Sequence, residues 1–341
     1  MLFEQIRSGG CLSYLIGCDD SCAAMIVDPH LEQRDRYLAM VAERGMRIHY
    51  IAETHTHADH FSAARELGQT LGARIVTHRS SPAPFANVRV DDGESLLVGK
   101  LRMRIMHTPG HTADSMCFVF DDRVLTGDTL LIGGTGRTDL PTGDPDNLYD
   151  SLFGKVLQLD DAMRVFPAHD YKERNSSTIG AEKTSNMRLQ KKERADFVAL
   201  MRGLDMKMPD HLTEALRTNC SGGKTVAQLI AEASREVAFM SMDEVARRLE
   251  GQHDLVLLDV REKDAFERGH LPGAKHLPRG QLELLVDKEL PDPNVRILVY
   301  CQLGRISTLA AATLRTMGFQ RAVALDGGFA AWQQAGYPTA S

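Results

Sequence analysis

The fold class this sequence predicts is α/β, in two separately folded parts. Three observations predict it. Short apolar runs of strand length alternate with stretches of helical periodicity through most of the chain. Two of those runs end abruptly in turns crowded with reactive side chains, one near residue 55 and one at residue 301. The 341 residues also exceed what one hydrophobic core ordinarily organises. Hydrophobic content of 43% and charged content of 25% belong to an ordinary globular protein. A net charge of −6 argues against nucleic acid or an acidic membrane surface as the main partner. No apolar run approaches the roughly 18 residues of a membrane span, and the start, Met1-Leu2-Phe3-Glu4-Gln5, has no signal-peptide character. The six cysteines are scattered without a CxxC pair, which suits free thiols in a reducing compartment; the expected location is the cytoplasm.

Residues 1–28 supply short strands, the last of them Ala23–Val27, stopped by Asp28-Pro29. Leu31 to Arg44 has helical periodicity. A buried strand at 48–52 enters a ligand-rich turn, and a helix follows from Phe61. Arg74–Thr77 is a strand. Leu101–His107 alternates with period two, a strand with one solvated face. Met116–Phe120 and Val124–Thr126 pair through a turn at Asp121-Asp122. Gly133-Gly134-Thr135-Gly136 is a loop, and 147–159 and 182–204 read as helices. The first domain is expected over 1–236, with a linker from about 210, and the second over 237–341. In the second, Ser241 caps a helix with Glu244 three residues on. Leu255–Asp259, Arg296–Tyr300 and Ala322–Leu325 are strands, Arg305–Met317 is a helix, and a short helix carries Trp332. The sheet they form is expected to be mostly parallel.

The densest chemistry is Thr54-His55-Thr56-His57-Ala58-Asp59-His60, three histidines and an aspartate at one strand-to-helix turn. Imidazole nitrogens and carboxylate oxygens suit iron, zinc or manganese. His111, Asp128 and His169 each follow an apolar run and adjoin Gly or Pro, the way a scaffold of strands delivers ligands from distant sequence to one point. The remaining histidines, His30, His49, His78, His107, His211, His253 and His276, read as ordinary structural or surface residues.

Together these segments resemble the metallo-β-lactamase superfamily, which implies an αββα sandwich with metal at one edge of two packed sheets. Gly136-Arg137-Thr138-Asp139, and Pro167-Ala168-His169-Asp170-Tyr171 followed by Asn186-Met187-Arg188, look like the persulfide dioxygenases, the family of the ethylmalonic encephalopathy protein. That resemblance implies one Fe(II) per chain on His55, His111 and Asp128, a facial triad with cis positions open for a persulfide sulfur and O₂. His57, Asp59, His60 and His169 would orient those ligands through hydrogen bonds or persist from a second metal position. Tyr171 and Arg188 match positions that hold glutathione; Arg137 and Asp139 read as an ion pair bracing the Gly-rich loop. A dinuclear thioester hydrolase of the glyoxalase II kind uses the same residue types and stays open.

Cys301 ends a buried strand and begins Cys301-Gln302-Leu303-Gly304-Arg305-Ile306-Ser307, which runs into a helix. Backbone N–H groups in such a loop, with the helix N-terminus behind them, form a nest for an anionic sulfur. The other five cysteines read as small buried hydrophobes. Asp259-Val260-Arg261-Glu262, Gly269-His270-Leu271-Pro272-Gly273-Ala274 and Leu325-Asp326-Gly327-Gly328-Phe329 make this part resemble a rhodanese domain. Asp259 and Arg261 read as a structural pair, and Arg305 as the nearest cation for a sulfonate or thiosulfate. The two resemblances imply a persulfide dioxygenase–rhodanese fusion acting on glutathione persulfide and O₂. Cys301 would exchange sulfane sulfur between glutathione and thiosulfate or sulfite. Neither nucleic acid nor membrane is an expected partner, and a homodimer is the candidate assembly. A sulfur-carrying or sensing module is the alternative for the second domain.

Overall fold

The computed structural model describes residues 1–251 and 254–341, so His253 lies outside the described residues. It divides into two compact units, 1–223 and 224–341.

In the first unit, β1 (Leu2–Ser8), β2 (Cys11–Cys18), β3 (Ala23–Val27), β4 (Arg47–Ala52), β5 (Arg74–His78) and β6 (Val88–Val90) form one sheet in chain order. The first three pair antiparallel, and β3 to β6 pair parallel. The second sheet holds β7 (Ser95–Val98), β8 (Leu101–His107), β9 (Met116–Val119) and β10 (Arg123–Gly127). After a small hairpin of β11 (Leu130–Leu131) and β12 (Gly134–Thr135), it is completed by β13 (Arg164–Pro167) and β14 (Ser177–Thr178), in the order β14-β13-β10-β9-β8-β7. Residues from both sheets, among them Tyr14, Met25, Val76, Met103, Phe118 and Phe166, form one core. Outside the first sheet, α1 (Arg34–Glu43) and α2 (Ala64–Leu71) bury Tyr37, Val41 and Leu67. Outside the second, α3 (Pro145–Gly154), α4 (Ile179–Ser185) and α5 (Arg194–Arg202) bury Leu148, Leu152, Ile179 and Phe197. Three stacked apolar clusters are the signature of four layers, αββα. The β8 alternation is present, with Arg102 and Arg104 outward and Met103 and Ile105 in the core. The β9–β10 hairpin pairs Val119 with Val124.

One expectation needs correction. The helix read over 182–204 is broken at Asn186, which is fully buried. Its Nδ2 donates to the Gly134 carbonyl and to Glu182 Oε2, while its side-chain oxygen accepts from Arg188 N–H. Bracing the Gly-rich hairpin there outweighs helical continuity. The expected linker is also ordered: α6 (Leu212–Ser221) belongs to the first unit and α7 (Val226–Glu236) to the second. A capping box of Thr225 and Gln228 starts α7, and the helix packs against a later helix of its own unit, the division between the compact units falling at 223/224.

The second unit is a sheet in the order β15 (Phe239–Met240), β19 (Ala322–Leu325), β18 (Arg296–Tyr300), β16 (Leu255–Asp259), β17 (Lys275–His276), every pair parallel. Besides α7, it has α8 (Met242–Leu249), α9 (Lys263–Glu267), α10 (Leu282–Glu289), α11 (Arg305–Thr316) and α12 (Gly328–Gln334), with an apolar cluster on each face of the sheet. Ser241 caps α8 by accepting Glu244 N–H. Trp332 is fully buried and donates to the Pro338 carbonyl at 2.9 Å.

At the end of β16, Asp259 is fully buried and Arg261 nearly so. The guanidinium grips the carboxylate through Nε (3.0 Å) and Nη2 (2.5 Å). It also donates to the Gly269 carbonyl, and it stacks 4.0 Å over the Phe329 ring. Removing one partner strands a buried charge. Asp259→Ala is therefore expected to lower the stability of the second unit by about 3–5 kcal/mol. Denaturant unfolding followed by tryptophan fluorescence checks this, because the single tryptophan of the chain lies in that unit. No helix among the described residues is long and apolar enough to cross a membrane.

Candidate metal centre and cysteine site

The turn after β4, the loop after β8 and the end of β10 deliver His55, His111 and Asp128 to one edge of the sandwich. All three are buried, and their ligand atoms lie within 4.8 Å of one another. The two imidazoles present the same face inward. His111 Nδ1–H donates to the Arg137 carbonyl at 2.8 Å. His55 Nδ1–H donates to Thr54 Oγ1 at 2.9 Å, and that hydroxyl donates on to Asp28 Oδ2 at 2.8 Å. Each ring therefore turns its Nε2 side inward. His55 Nε2 is buried without a hydrogen-bond partner. His111 Nε2 and Asp128 Oδ2 stand 3.6 Å apart, too far for a good hydrogen bond. Burial, followed by the neighbouring His57, holds the His55 ring well below its usual pKa, hence neutral. Burial pushes the Asp128 carboxyl up, but His169, His111 and His55 outweigh it and hold it below the usual carboxylate range. Two imidazoles that turn Nε2 inward and an ionised carboxylate fit a divalent transition metal.

The other four expected residues fall in two further clusters. His57 turns away from the triad: its Nε2 lies 3.2 Å from Asp28 Oδ1 and 3.0 Å from Glu53 Oε2. Burial disfavours its charge, yet those carboxylates raise its pKa well above the ordinary value. Asp59, His60 and His169 converge with Cys11, again within 4.8 Å. His169 Nδ1 and Nε2 donate to Asp128 Oδ1 and Asp59 Oδ2, both at 2.7 Å. Cys11 corrects the expectation of five inert cysteines. It is half-buried, and although burial raises its thiol, the neighbouring His169 and His60 bring it down to about 7. Cys22 departs from that expectation too, being exposed; Cys117 fits it, pushed up to about 11 by burial.

A pocket of about 250 Å³ opens over His111 and Asp128, lined also by His169, Tyr171, Arg137 and Lys207 among others. Tyr171 is 77% exposed, and its ring stacks on His169. Arg188 is not among the lining residues. Its Nη1 donates to the Thr135 carbonyl at 2.6 Å and to Thr135 Oγ1 at 3.0 Å, and Thr135 does line the pocket. Among the described residues, Arg188 has no carboxylate partner. Arg137 and Asp139 form a two-point ion pair at 2.6 Å on each side.

Several supporting residues escaped the sequence reading. Asp28, left-handed at φ +50 and buried, receives Thr54 N–H and hydroxyl. Asp114 holds Thr56 Oγ1 at 2.6 Å. Asn219 of α6 donates to the His57 and His60 carbonyls and accepts Ser62 N–H, clamping the ligand turn. An acidic residue closing a buried strand was the available sign for Asp28; Asn219 had none. Gly136 approaches the triad most closely: a Cβ there would lie 2.1 Å from the Asp128 carbonyl oxygen and 2.9 Å from the His111 ring. Gly136→Ala is expected to lower metal affinity about 10–100-fold, measured by chelator competition with the far-UV spectrum unchanged.

In the second unit, Cys301 is buried at the end of β18. The Ser307 backbone N–H, in the first turn of α11, donates to its Sγ at 3.3 Å. Phe329 and Ala330 N–H groups of α12 hold the Cys301 and Gln302 carbonyls at 2.8 and 2.9 Å. Only glycine fits at Gly328, where φ is +70 and a Cβ would meet Gly304 N at 2.5 Å. Arg261 Nη1 reaches Gln302 Oε1 at 3.2 Å, so the Asp259–Arg261 pair also steadies the loop.

Residues 6–169 match the metallo-beta-lactamase superfamily, and residues 241–335 match the rhodanese-like domain. The chain is 36% identical over 225 residues to the persulfide dioxygenase ETHE1, mitochondrial, of Homo sapiens, covering 65% of this chain and 87% of that one. The crystal structure of ETHE1 from Myxococcus xanthus superposes with a TM-score of 0.64 at 39% identity, over 66% of this chain and all of that one. A metallo-beta-lactamase structure from Staphylococcus aureus aligns over 96% of this chain and 98% of its own, with a TM-score of 0.61 at 23% identity, a likeness of fold.

Proposed function

Because the chain belongs to the persulfide dioxygenase family of the metallo-β-lactamase superfamily and carries a rhodanese-like domain besides, we propose that it is a bifunctional enzyme of sulfane sulfur. Its first unit oxidises glutathione persulfide: GSSH + O₂ + H₂O gives GSH + SO₃²⁻ + 2H⁺. Its second moves sulfur between thiosulfate and glutathione: S₂O₃²⁻ + GSH gives GSSH + SO₃²⁻. The observation that carries the first reaction is the convergence of two inward-facing Nε2 atoms and one carboxylate oxygen.

His55 Nε2, His111 Nε2 and Asp128 Oδ2 would hold one Fe(II) per chain, and such an ion supplies the electron traffic between sulfur and dioxygen. Thr54 and the Arg137 carbonyl fix the tautomers of the two rings. His169 and Asp59 steady the Asp128 carboxylate from behind, and His57 and His60 complete the turn that orients His55. Tyr171 and Arg188 are proposed to receive the glutathione moiety. A half-buried guanidinium without an acid partner suits its glycine carboxylate. Cys301 takes the sulfane sulfur, with Ser307 N–H stabilising the charge on Sγ. Gln302, Leu303, Gly304, Arg305 and Ile306 complete the transfer loop. Free thiols throughout suit a cytoplasmic setting.

The second cluster of Cys11, Asp59, His60 and His169 favours a competing reading, a dinuclear thioester hydrolase of the glyoxalase II kind. One assay separates the two. Incubation with glutathione persulfide should yield sulfite and consume O₂ one for one, with no turnover of a glutathione thioester. Thioester hydrolysis without sulfite would reverse the assignment.

A further inference from the structure

Beside Cys301 lies a pocket of about 320 Å³ whose walls are mostly hydrocarbon. Val226 and Ile230 contribute one side; Leu303, Ile306 and Leu309 contribute the other. Val226, Leu303 and Ile306 are 53%, 67% and 51% exposed, so the apolar surface faces the opening and is not absorbed by the core. Arg305 also lines it, and among the described residues its guanidinium has no hydrogen-bond or ion-pair partner. Thiosulfate is a compact dianion of about five heavy atoms, a small part of a space where one water needs only ~10–15 Å³. Its chemistry gives the hydrocarbon walls nothing to bury. Glutathione, with polar ends, matches them little better.

Two of the wall residues come from α7, which precedes the rhodanese-like match at 241–335. That helix is fixed by its own capping box and packs along α11, the helix that follows the cysteine loop. It lies outside the family match and lines the entrance to the reactive sulfur.

We propose that this pocket accepts, besides glutathione, an acceptor thiol that has an apolar arm and an anionic end, and that α7 sets the preference between them. The proposal rests on the reading of Cys301 as a sulfur-transfer nucleophile. In the step concerned, the acceptor thiolate attacks the outer sulfur of the Cys301 persulfide. A bond forms between the acceptor sulfur and that outer sulfur, and the bond from Sγ to it breaks. The electron pair stays on Sγ as thiolate, so the charge passes from acceptor to cysteine and no net oxidation occurs. The apolar arm lies against Val226, Ile230 and Ile306, and the anionic end pairs with Arg305.

The test uses the full chain under anaerobic conditions, with thiosulfate as donor and sulfite release as readout. Acceptors are ω-mercaptoalkanoic acids of two to six carbons, with cyanide as an armless control. kcat/KM is expected to rise with length, by up to about fourfold per buried methylene. At equal length, a terminal ammonium in place of the carboxylate is expected to lower it. Ile230→Asp, on a partly exposed helix face, is expected to flatten the series. Flat wild-type kinetics alongside normal cyanide turnover would overturn the pocket assignment and leave the sulfurtransferase reading standing. An unchanged slope in a folded Ile230→Asp protein would remove α7 from the account. Absence of turnover with cyanide and every thiol would overturn both readings.

Discussion

Replacing His111 by alanine is expected to eliminate persulfide-dependent O₂ uptake while thiosulfate:cyanide sulfur transfer continues. His111 provides one of three inward donor atoms, and the Arg137 carbonyl fixes its orientation at 2.8 Å. Losing a mere hydrogen-bonding supporter of a metal ligand costs about 10–100-fold, so loss of the ligand itself should exceed about 100-fold. Asp128 would also lose one of the imidazoles that hold its carboxyl ionised. Iron content and O₂ uptake should fall together, with far-UV dichroism confirming the fold. A variant that retains iron and consumes O₂ at the parental rate would remove His111 from the centre.

Cys301→Ser gives the mirror result. The cysteine is buried, and the hydrogen bond that anchors its strand end runs from Phe329 N–H to the backbone carbonyl, so the near-isosteric serine should leave the loop in place. A serine hydroxyl cannot carry sulfane sulfur. Sulfite release from thiosulfate should drop by more than about 10³-fold, the scale of losing a nucleophile. O₂ uptake on supplied glutathione persulfide should persist. Loss of both activities in a folded, iron-loaded variant would contradict independent sites.

Much of this layout was legible in the chain. Apolar runs that end in His or Asp beside Gly or Pro marked the strand ends that converge on the triad, because strand-to-loop junctions are where a sandwich can turn side chains toward one edge. Cys301 was legible for the same reason: a buried strand passing straight into a helix leaves the junction residue under the helix N-terminus. The buried Asp259–Arg261 pair and the Arg137–Asp139 brace were also readable, since each is local in sequence. What escaped were long-range contacts. Asn219 clamps a turn some 160 residues away, and Cys11 reaches His60 and Asp59 only because β2 begins at the same sheet edge. The helices of 212–236 were only partly legible: the Thr225–Gln228 capping box announces α7, but its packing along α11 is long-range. The division of seven candidate ligands into three clusters was equally out of reach: His55 and His57 are neighbours in the motif but bond to opposite surroundings.

The central claim is a mononuclear ferrous centre that joins persulfide sulfur to dioxygen. It is tested most directly by measuring metal content and O₂ consumption on one preparation supplied with glutathione persulfide. The expected result is close to one iron per chain, with oxygen uptake matched by sulfite. Two zinc ions per chain and no oxygen uptake after full metal loading would contradict it.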